Sequence, residues 1–282
     1  MNYTFAHGNF PPDAPDQKSS WCSLWSSSLQ LLEFAQYLLY NKTYTNLSER
    51  KTAMKKKVLI TGATDGIGKA LAHVLSKEYS LILCGRSEEK MTQLVSEIGD
   101  SCIYHECFDI TDDDKRHAFC QFVKDRFGCI DVLVNNAGAN TKKDKVTDIA
   151  LSDLRYMFEL NCVSALGMIQ EFYPGMSEQK RGLFVNILST CCLFNSPLTG
   201  SYSASKDAMQ AISKILLKEV KSENIGVCNV YPGGTDTNFR AIPNHNYLRP
   251  ETIAAMVKAC IENEEGCVHE IVIRPSIEDN IC

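Results

Sequence analysis

From Lys57 onward, short runs of β-branched and Leu-rich residues alternate with longer segments of helical periodicity. The apolar runs stand at Lys57–Thr61, Ser80–Cys84, Cys102–Cys107, Val132–Val134, Leu183–Leu188, Gly226–Val230 and Val268–Ile273. Each has the length of a strand. Helix-length segments separate them: Gly66–Lys77, Glu88–Ile98, Asp112–Phe127, Leu151–Phe172, Ser201–Lys221 and Pro250–Glu262. Seven strands alternating with helices predict an α/β fold, a doubly wound three-layer sandwich about a seven-stranded parallel sheet. Ligands of such sheets bind at the carboxyl ends of the strands, so the loops that follow the strands are where chemistry is expected.

Ahead of Met54 the pattern changes. A polar start containing Pro11, Pro12 and Pro15 leads into an aromatic and Leu-rich stretch from Trp21 to Tyr40. There Leu24, Leu31, Leu32, Ala35, Leu38 and Leu39 recur at helical spacing, which predicts one amphipathic helix in an extension over residues 1–53. Gln30, Glu33 and Gln36 interrupt its centre, and its polar face lacks Lys and Arg, so neither a spanning nor an interfacial membrane helix is expected. Met54 directly precedes the first strand, and an alternative start there would leave residues 54–282 as the working domain.

The chain has 282 residues, 44% of them hydrophobic, which suits one large domain with a substantial core. A formal net charge of -5 argues against nucleic acid as a partner, since phosphate binding needs a basic footprint. The 13 cysteines are scattered without a C-x-x-C pair and read as small apolar residues of a reducing, cytoplasmic protein. The histidines show no metal-binding spacing, so no catalytic metal is expected.

The first strand runs directly into Thr61-Gly62-Ala63-Thr64-Asp65-Gly66-Ile67-Gly68 and then a helix. Glycines here permit a tight turn, a close approach to a pyrophosphate and close helix–strand packing, with the phosphates at the positive helix N-terminus. The spacing T-G-x-x-x-G-x-G resembles the short-chain dehydrogenase/reductase family of Rossmann-fold enzymes. Further motifs follow in the family's order: Asp109-Ile110 after the third strand, then Asn135-Asn136-Ala137-Gly138 closing the fourth. The resemblance covers about residues 55 to 275. It implies that Gly62, Thr64, Asp65, Gly66, Ile67 and Gly68 cradle a dinucleotide, that Asp109 and Ile110 contact adenine, and that Asn136, Ala137 and Gly138 close over the cofactor. Arg86 and Ser87 end the second strand, where an acidic residue would select NAD. Arg86 instead offers a forked cation to a 2′-phosphate, so NADP(H) is the expected cofactor. Asp65 departs from the pattern, because NADP-preferring members often carry Arg or Lys at that position.

Tyr202 and Lys206 lie four apart on one face of a predicted helix, and Ser189 stands 13 residues before Tyr202 at a strand end. A nearby ammonium favours the phenolate of a tyrosine, which otherwise titrates at about pH 10. In the resembled family, Ser189 would polarise a substrate carbonyl, Tyr202 would donate and accept the proton, and Lys206 would contact the nicotinamide ribose. Asn161, within the segment Leu151–Phe172, matches the asparagine that holds a water beside the lysine. Pro232, Gly233, Thr235 and Thr237 resemble the segment that holds the carboxamide. The resemblance also implies a homodimer or homotetramer through the two long helices, and a small carbonyl or alcohol substrate. Leu193, Phe194, Pro197, Leu198 and Phe239 are candidate apolar walls, and a short lid from Asn238 to Leu248 predicts an open pocket. Two alternatives stand beside this reading: an NAD-linked alcohol dehydrogenase, and a non-catalytic nucleotide sensor or scaffold.

Overall fold

The strands of the sheet form where the apolar runs stand, because the central runs are buried on both faces and satisfy their backbone only by pairing, while the edge runs at Cys102–Cys107 and Glu270–Ile273 are partly exposed. In the computed structural model, which describes residues 55–239 and 244–278, they are β1 (Lys57–Thr61), β2 (Ser80–Gly85), β3 (Cys102–Cys107), β4 (Val132–Asn135), β5 (Gly182–Ile187), β6 (Ile225–Pro232) and β7 (Glu270–Ile273). All pair in parallel, in the order β3-β2-β1-β4-β5-β6-β7. The chain winds outward in one direction from β1 and in the other from β4, so the switch point lies between β1 and β4. The described residues belong to one compact unit, Lys55–Cys282. The helix expected over Trp21–Tyr40 lies outside the described residues.

Helices cover both faces: α1 (Gly66–Leu75), α2 (Glu88–Ile98), α3 (Asp113–Phe127), α4 (Leu151–Phe158), α5 (Ser164–Glu178), α6 (Gly200–Glu219) and α7 (Pro250–Glu262). Side chains alternate across the strands, so Leu59 enters one core with Phe119, Met168, Phe172 and Met209. Val58 and Ile60 enter the other, with Leu71, Leu75, Leu94, Ile253 and Val257. Each fully buried aliphatic side chain stabilises the fold by about 1.5–3 kcal/mol before entropy is counted. Asp112 and Ser87 cap α3 and α2 by accepting hydrogen bonds from the backbone N–H of Lys115 and Lys90.

Two helical features depart from the sequence expectation. The segment expected as one helix over Leu151–Phe172 contains a π-helical turn at Glu159–Val163, which separates α4 from α5. It also continues past Pro174 to Glu178, because burial of Phe172 and Met176 holds the turn that proline weakens.

Asn135, Asn186 and Asn229 stand in register on β4, β5 and β6. Asn135 Nδ2 donates to Asn186 Oδ1 at 3.0 Å, and Asn186 Nδ2 donates to Ser213 Oγ at 2.8 Å. The Ser213 hydroxyl donates onward to Asn229 Oδ1. This buried polar ladder ties the sheet to α6, the helix that carries Tyr202 and Lys206.

Candidate active site at the carboxyl edge of the sheet

The loop after β1 turns at Gly62 and Gly66, whose φ angles of 64° and 50° lie in the left-handed region. Gly68 is fixed by close approach instead, since a Cβ there would lie 2.2 Å from the Gly62 carbonyl oxygen. The Thr61 hydroxyl accepts hydrogen bonds from the backbone N–H of both Asn136 and Ala137, each at 3.0 Å. Asn136 Nδ2 returns two hydrogen bonds, to the carbonyls of Thr61 at 2.9 Å and Gly62 at 3.1 Å. The loops after β1 and β4 are thereby one rigid piece. Asn136 acts there as a brace, a role its motif position did not reveal, and Thr61, read only as the first residue of the Gly-rich motif, accepts both backbone N–H groups of the β4 loop. The signals in the sequence were its place at the head of that motif and a hydroxyl at the end of an otherwise apolar strand.

Asp65 caps α1, accepting from the Gly66 N–H at 2.8 Å. Its carboxylate also forms an ion pair with Lys90 of α2 and accepts from Asn238 Nδ2 at 3.1 Å. Burial raises its pKa, but the hydrogen bonds from Lys90, Asn238 and the Gly66 N–H outweigh that and leave it lowered. Thr64 packs over Gly85 at the end of β2, and Arg86 is exposed beside Ser87 there. An open crevice of about 360 Å³ borders this region, lined among others by Asp65, Gly66, Lys69, Asp236, Thr237 and Asn238. After β3, Asp109 Oδ1 accepts from the Thr111 N–H at 3.0 Å and from its hydroxyl at 2.8 Å, with Ile110 buried alongside.

At the other end Asn161, Ser189, Tyr202 and Lys206 are all buried, at 2%, 8%, 7% and 5% exposure. Asn161 sits in the π-helical turn and grips Ala139 twice: its Oδ1 accepts from the Ala139 N–H and its Nδ2 donates to the Ala139 carbonyl, each at 3.0 Å. Nδ2 also donates to Ser205 Oγ at 3.0 Å, so one side chain links the β4 loop to α6. Ser205 was missed, being one small polar residue among several on α6. Lys206 Nζ donates to the Ile187 carbonyl at 2.7 Å. A Cβ on Gly138 would lie 3.2 Å from Nζ and 2.7 Å from Asn161 Oδ1, so only glycine lets these three groups converge. Burial pushes the Lys206 pKa down from 10.5 to about 8. Ser189 follows β5 and caps the short turn Thr190–Cys192, its Oγ accepting from the Cys191 N–H at 3.1 Å. Phe239 lies beside Tyr202, ring centroids 5.8 Å apart, whereas Phe194 lies under the Arg274 guanidinium, 4.5 Å from its carbon.

After β6, Pro232, Gly233, Thr235 and Thr237 form a loop that faces the Gly-rich turn, where a Cβ on Gly66 would meet the Thr237 side chain at 3.2 Å. The loop is pinned on its outer side by Leu248: the Leu248 N–H donates to the Gly234 carbonyl at 2.9 Å, and the Asp236 N–H to the Leu248 carbonyl at 2.8 Å. The expected site residues therefore fall at or after the ends of β1 to β6, with Thr237 after β6 meeting Gly66 after β1. Among the described residues, no helix is long and apolar enough to cross a membrane.

Residues 56–247 match the short chain dehydrogenase family. An uncharacterized oxidoreductase of Staphylococcus aureus (strain USA300) is 29% identical over 225 residues, which cover 78% of this chain and 97% of that protein. A short-chain dehydrogenase from Streptomyces avermitilis superposes with a TM-score of 0.71 at 27% identity, covering 77% of this chain and 88% of that one. The fold is also that of an alcohol dehydrogenase from the archaeon Thermococcus sibiricus, solved with 5-hydroxy-NADP, with a TM-score of 0.72 at 24% identity over 78% of this chain and 97% of that one. The chain belongs to the short-chain dehydrogenase family of oxidoreductases.

Proposed function

We propose that this protein is an NADP(H)-dependent oxidoreductase that interconverts a carbonyl and an alcohol, with Tyr202 as the general acid and base. The observation that carries the reading is the convergence of Gly138, Asn161 and Lys206, with Lys206 one helical turn after the buried Tyr202 and bonded to the Ile187 carbonyl two residues before the buried Ser189. The glycine cradle fits a dinucleotide, because Gly62, Gly66 and Gly68 present backbone without side chains at the N-terminus of α1, beside the open crevice that Asp65 and Gly66 line. Gly62, Thr64, Gly66, Ile67 and Gly68 would hold the pyrophosphate, and Asp109 and Ile110 the adenine. Gly138, Tyr202 and Lys206 would face the nicotinamide ribose. Pro232, Gly233, Thr235 and Thr237 would hold the carboxamide. When bound, the nicotinamide supplies or accepts the hydride.

The chain's own residues supply the rest. Ser189 and Tyr202 hydrogen-bond the substrate oxygen, and the Tyr202 hydroxyl gives or takes its proton. A Lys206 ammonium with a pKa near 8 exchanges protons readily at neutral pH, so it suits a relay behind Tyr202. Arg86 favours the 2′-phosphate of NADP, and pairing with Lys90 offsets the charge of Asp65 that would oppose it. Exposed Leu193, Leu198 and Phe239 support an open pocket for a small apolar carbonyl or alcohol. Free cysteines throughout the described residues support a reducing, cytoplasmic setting, with residues 54–282 as the catalytic domain of a homo-oligomer.

The test is nicotinamide absorbance over a panel of carbonyls and alcohols, comparing NADPH with NADH for wild type and Tyr202→Phe. Turnover with NADPH that falls by about 10²- to 10⁴-fold in the variant, with NADPH still bound, is expected. Binding without turnover of any panel member moves the protein to the nucleotide-sensor reading, and faster turnover with NADH moves the cofactor to NAD.

A further inference from the structure

The loop Gly233–Thr237 contains two adjacent glycines, the least restrained backbone available, at the place proposed to orient the nicotinamide. Something outside the loop must hold it. Leu248 supplies one side, as described. The other is supplied by the end of β7 and the segment that follows it. The Gly233 N–H donates to the Ile273 carbonyl at 2.7 Å, and the Gly234 N–H donates to Glu278 Oε1 at 2.6 Å. A Cβ at Gly233 would stand 2.7 Å from Glu278 Oε2, so the missing side chain is what admits the carboxylate. Oε2 in turn accepts from Arg274 Nε at 3.0 Å, and both partners are largely buried, with 17% and 21% of their side chains exposed. The Arg274 guanidinium covers Phe194. The Phe194 N–H donates to the Thr190 carbonyl at 2.8 Å, in the short turn that Ser189 caps. One carboxylate near the end of the chain therefore links the loop after β6 to the turn after β5.

We propose that Glu278 is a positioning residue for hydride transfer. Its carboxylate fixes the Gly233–Thr237 loop and, through Arg274 and Phe194, holds that loop in register with Ser189. The assignment rests on the cofactor reading above. A charge-assisted hydrogen bond to a backbone N–H is short and directional, and a loop of two glycines loses most of its alternative conformations when so restrained. The carboxylate holds Gly234 and abuts Gly233, at the opposite end of the loop from Thr237, which is the residue that meets Gly66 of the phosphate cradle, so the benefit falls on orientation more than on binding. Misplacing the ring by a fraction of an ångström lowers kcat while leaving affinity nearly intact.

The experiment compares wild type, Glu278→Ala and Glu278→Gln in two measurements. Amide exchange of the peptide covering residues 232–239, in the enzyme without cofactor, reads the restraint itself. It should accelerate in E278A and return toward wild type in E278Q, whose amide oxygen still accepts from Gly234. Steady-state kinetics with NADPH titration reads the consequence: kcat about tenfold lower in E278A, NADPH affinity within about threefold of wild type, and partial recovery in E278Q. Unchanged exchange in E278A, or exchange in E278Q as fast as in E278A, overturns the proposal. So does a kcat loss that merely follows a lower folded fraction in thermal melts. A wild type that binds neither dinucleotide sinks the cofactor reading and the positioning role together, whereas normal NADPH binding with three equal kcat values sinks only the role of Glu278.

Discussion

Lys206 is the one charged side chain among the described buried residues, and replacing it with methionine removes that charge while keeping most of its volume. Burial lowers its pKa from 10.5 to about 8, so the native state gives up this proton at lower pH than the unfolded chain does. Below about pH 8 both states hold the proton, and the native state carries the full cost of a buried ammonium. Between about pH 8 and 10.5 the unfolded chain binds more protons, so the stability contributed by this group rises with pH. Integrating the linkage relation between those two values gives about 2 kcal/mol of added stability for wild type relative to Lys206→Met between about pH 7 and 9.5. Urea denaturation of both proteins across that range measures the difference directly, since titrations common to both cancel. Parallel stability curves would refute the buried-ammonium argument, and with it the claim that Lys206 exchanges protons near neutral pH. The same variant should lose turnover by at least about 10²-fold, because its proton relay is gone.

Three further outcomes are expected. Arg86→Ala should weaken NADPH binding by about tenfold and leave NADH unchanged, since it removes only the forked cation offered to the 2′-phosphate; dinucleotide titrations with both cofactors check this. Ser213→Ala should cost about 1–3 kcal/mol in chemical denaturation, because Asn186 Nδ2 loses its 2.8 Å acceptor and Asn229 Oδ1 its hydroxyl donor, leaving only the 3.5 Å contact between the two amides in the buried ladder. Gly68→Ala should cost at least about 1–3 kcal/mol and weaken both cofactors alike, because its Cβ would fall 2.2 Å from a backbone oxygen of the cradle itself; melting and binding measured on the same samples check it.

The alternation of apolar runs with helical segments determined the fold class, because a parallel sheet covered on both faces leaves long buried strands that stand out from amphipathic helices. Glu88–Ile98 and Pro250–Glu262 were legible to the residue, the first between the Ser87 cap and Gly99 and the second opening on a proline, and Cys102–Cys107 was legible as well. The placement of the proposed site residues at strand ends was legible too, since the short motifs that hold them adjoin the apolar runs. The π-helical turn was not, because nothing local distinguishes it: it exists to bring Asn161 onto Ala139 and Ser205, contacts made 22 and 44 residues away. Continuation of α5 past Pro174 rested likewise on burial of Met176, a tertiary term that outweighs local propensity. The same holds for Asp65, which the sequence set against the cofactor's phosphate. Only the fold brings Lys90 to its carboxylate and so offsets the local negative charge. It also brings Glu278 to Gly234, across 44 residues that no periodicity connects. Local pattern fixes which elements form, whereas pairings between distant loops depend on how those elements stack, and a single sequence carries no record of that stacking.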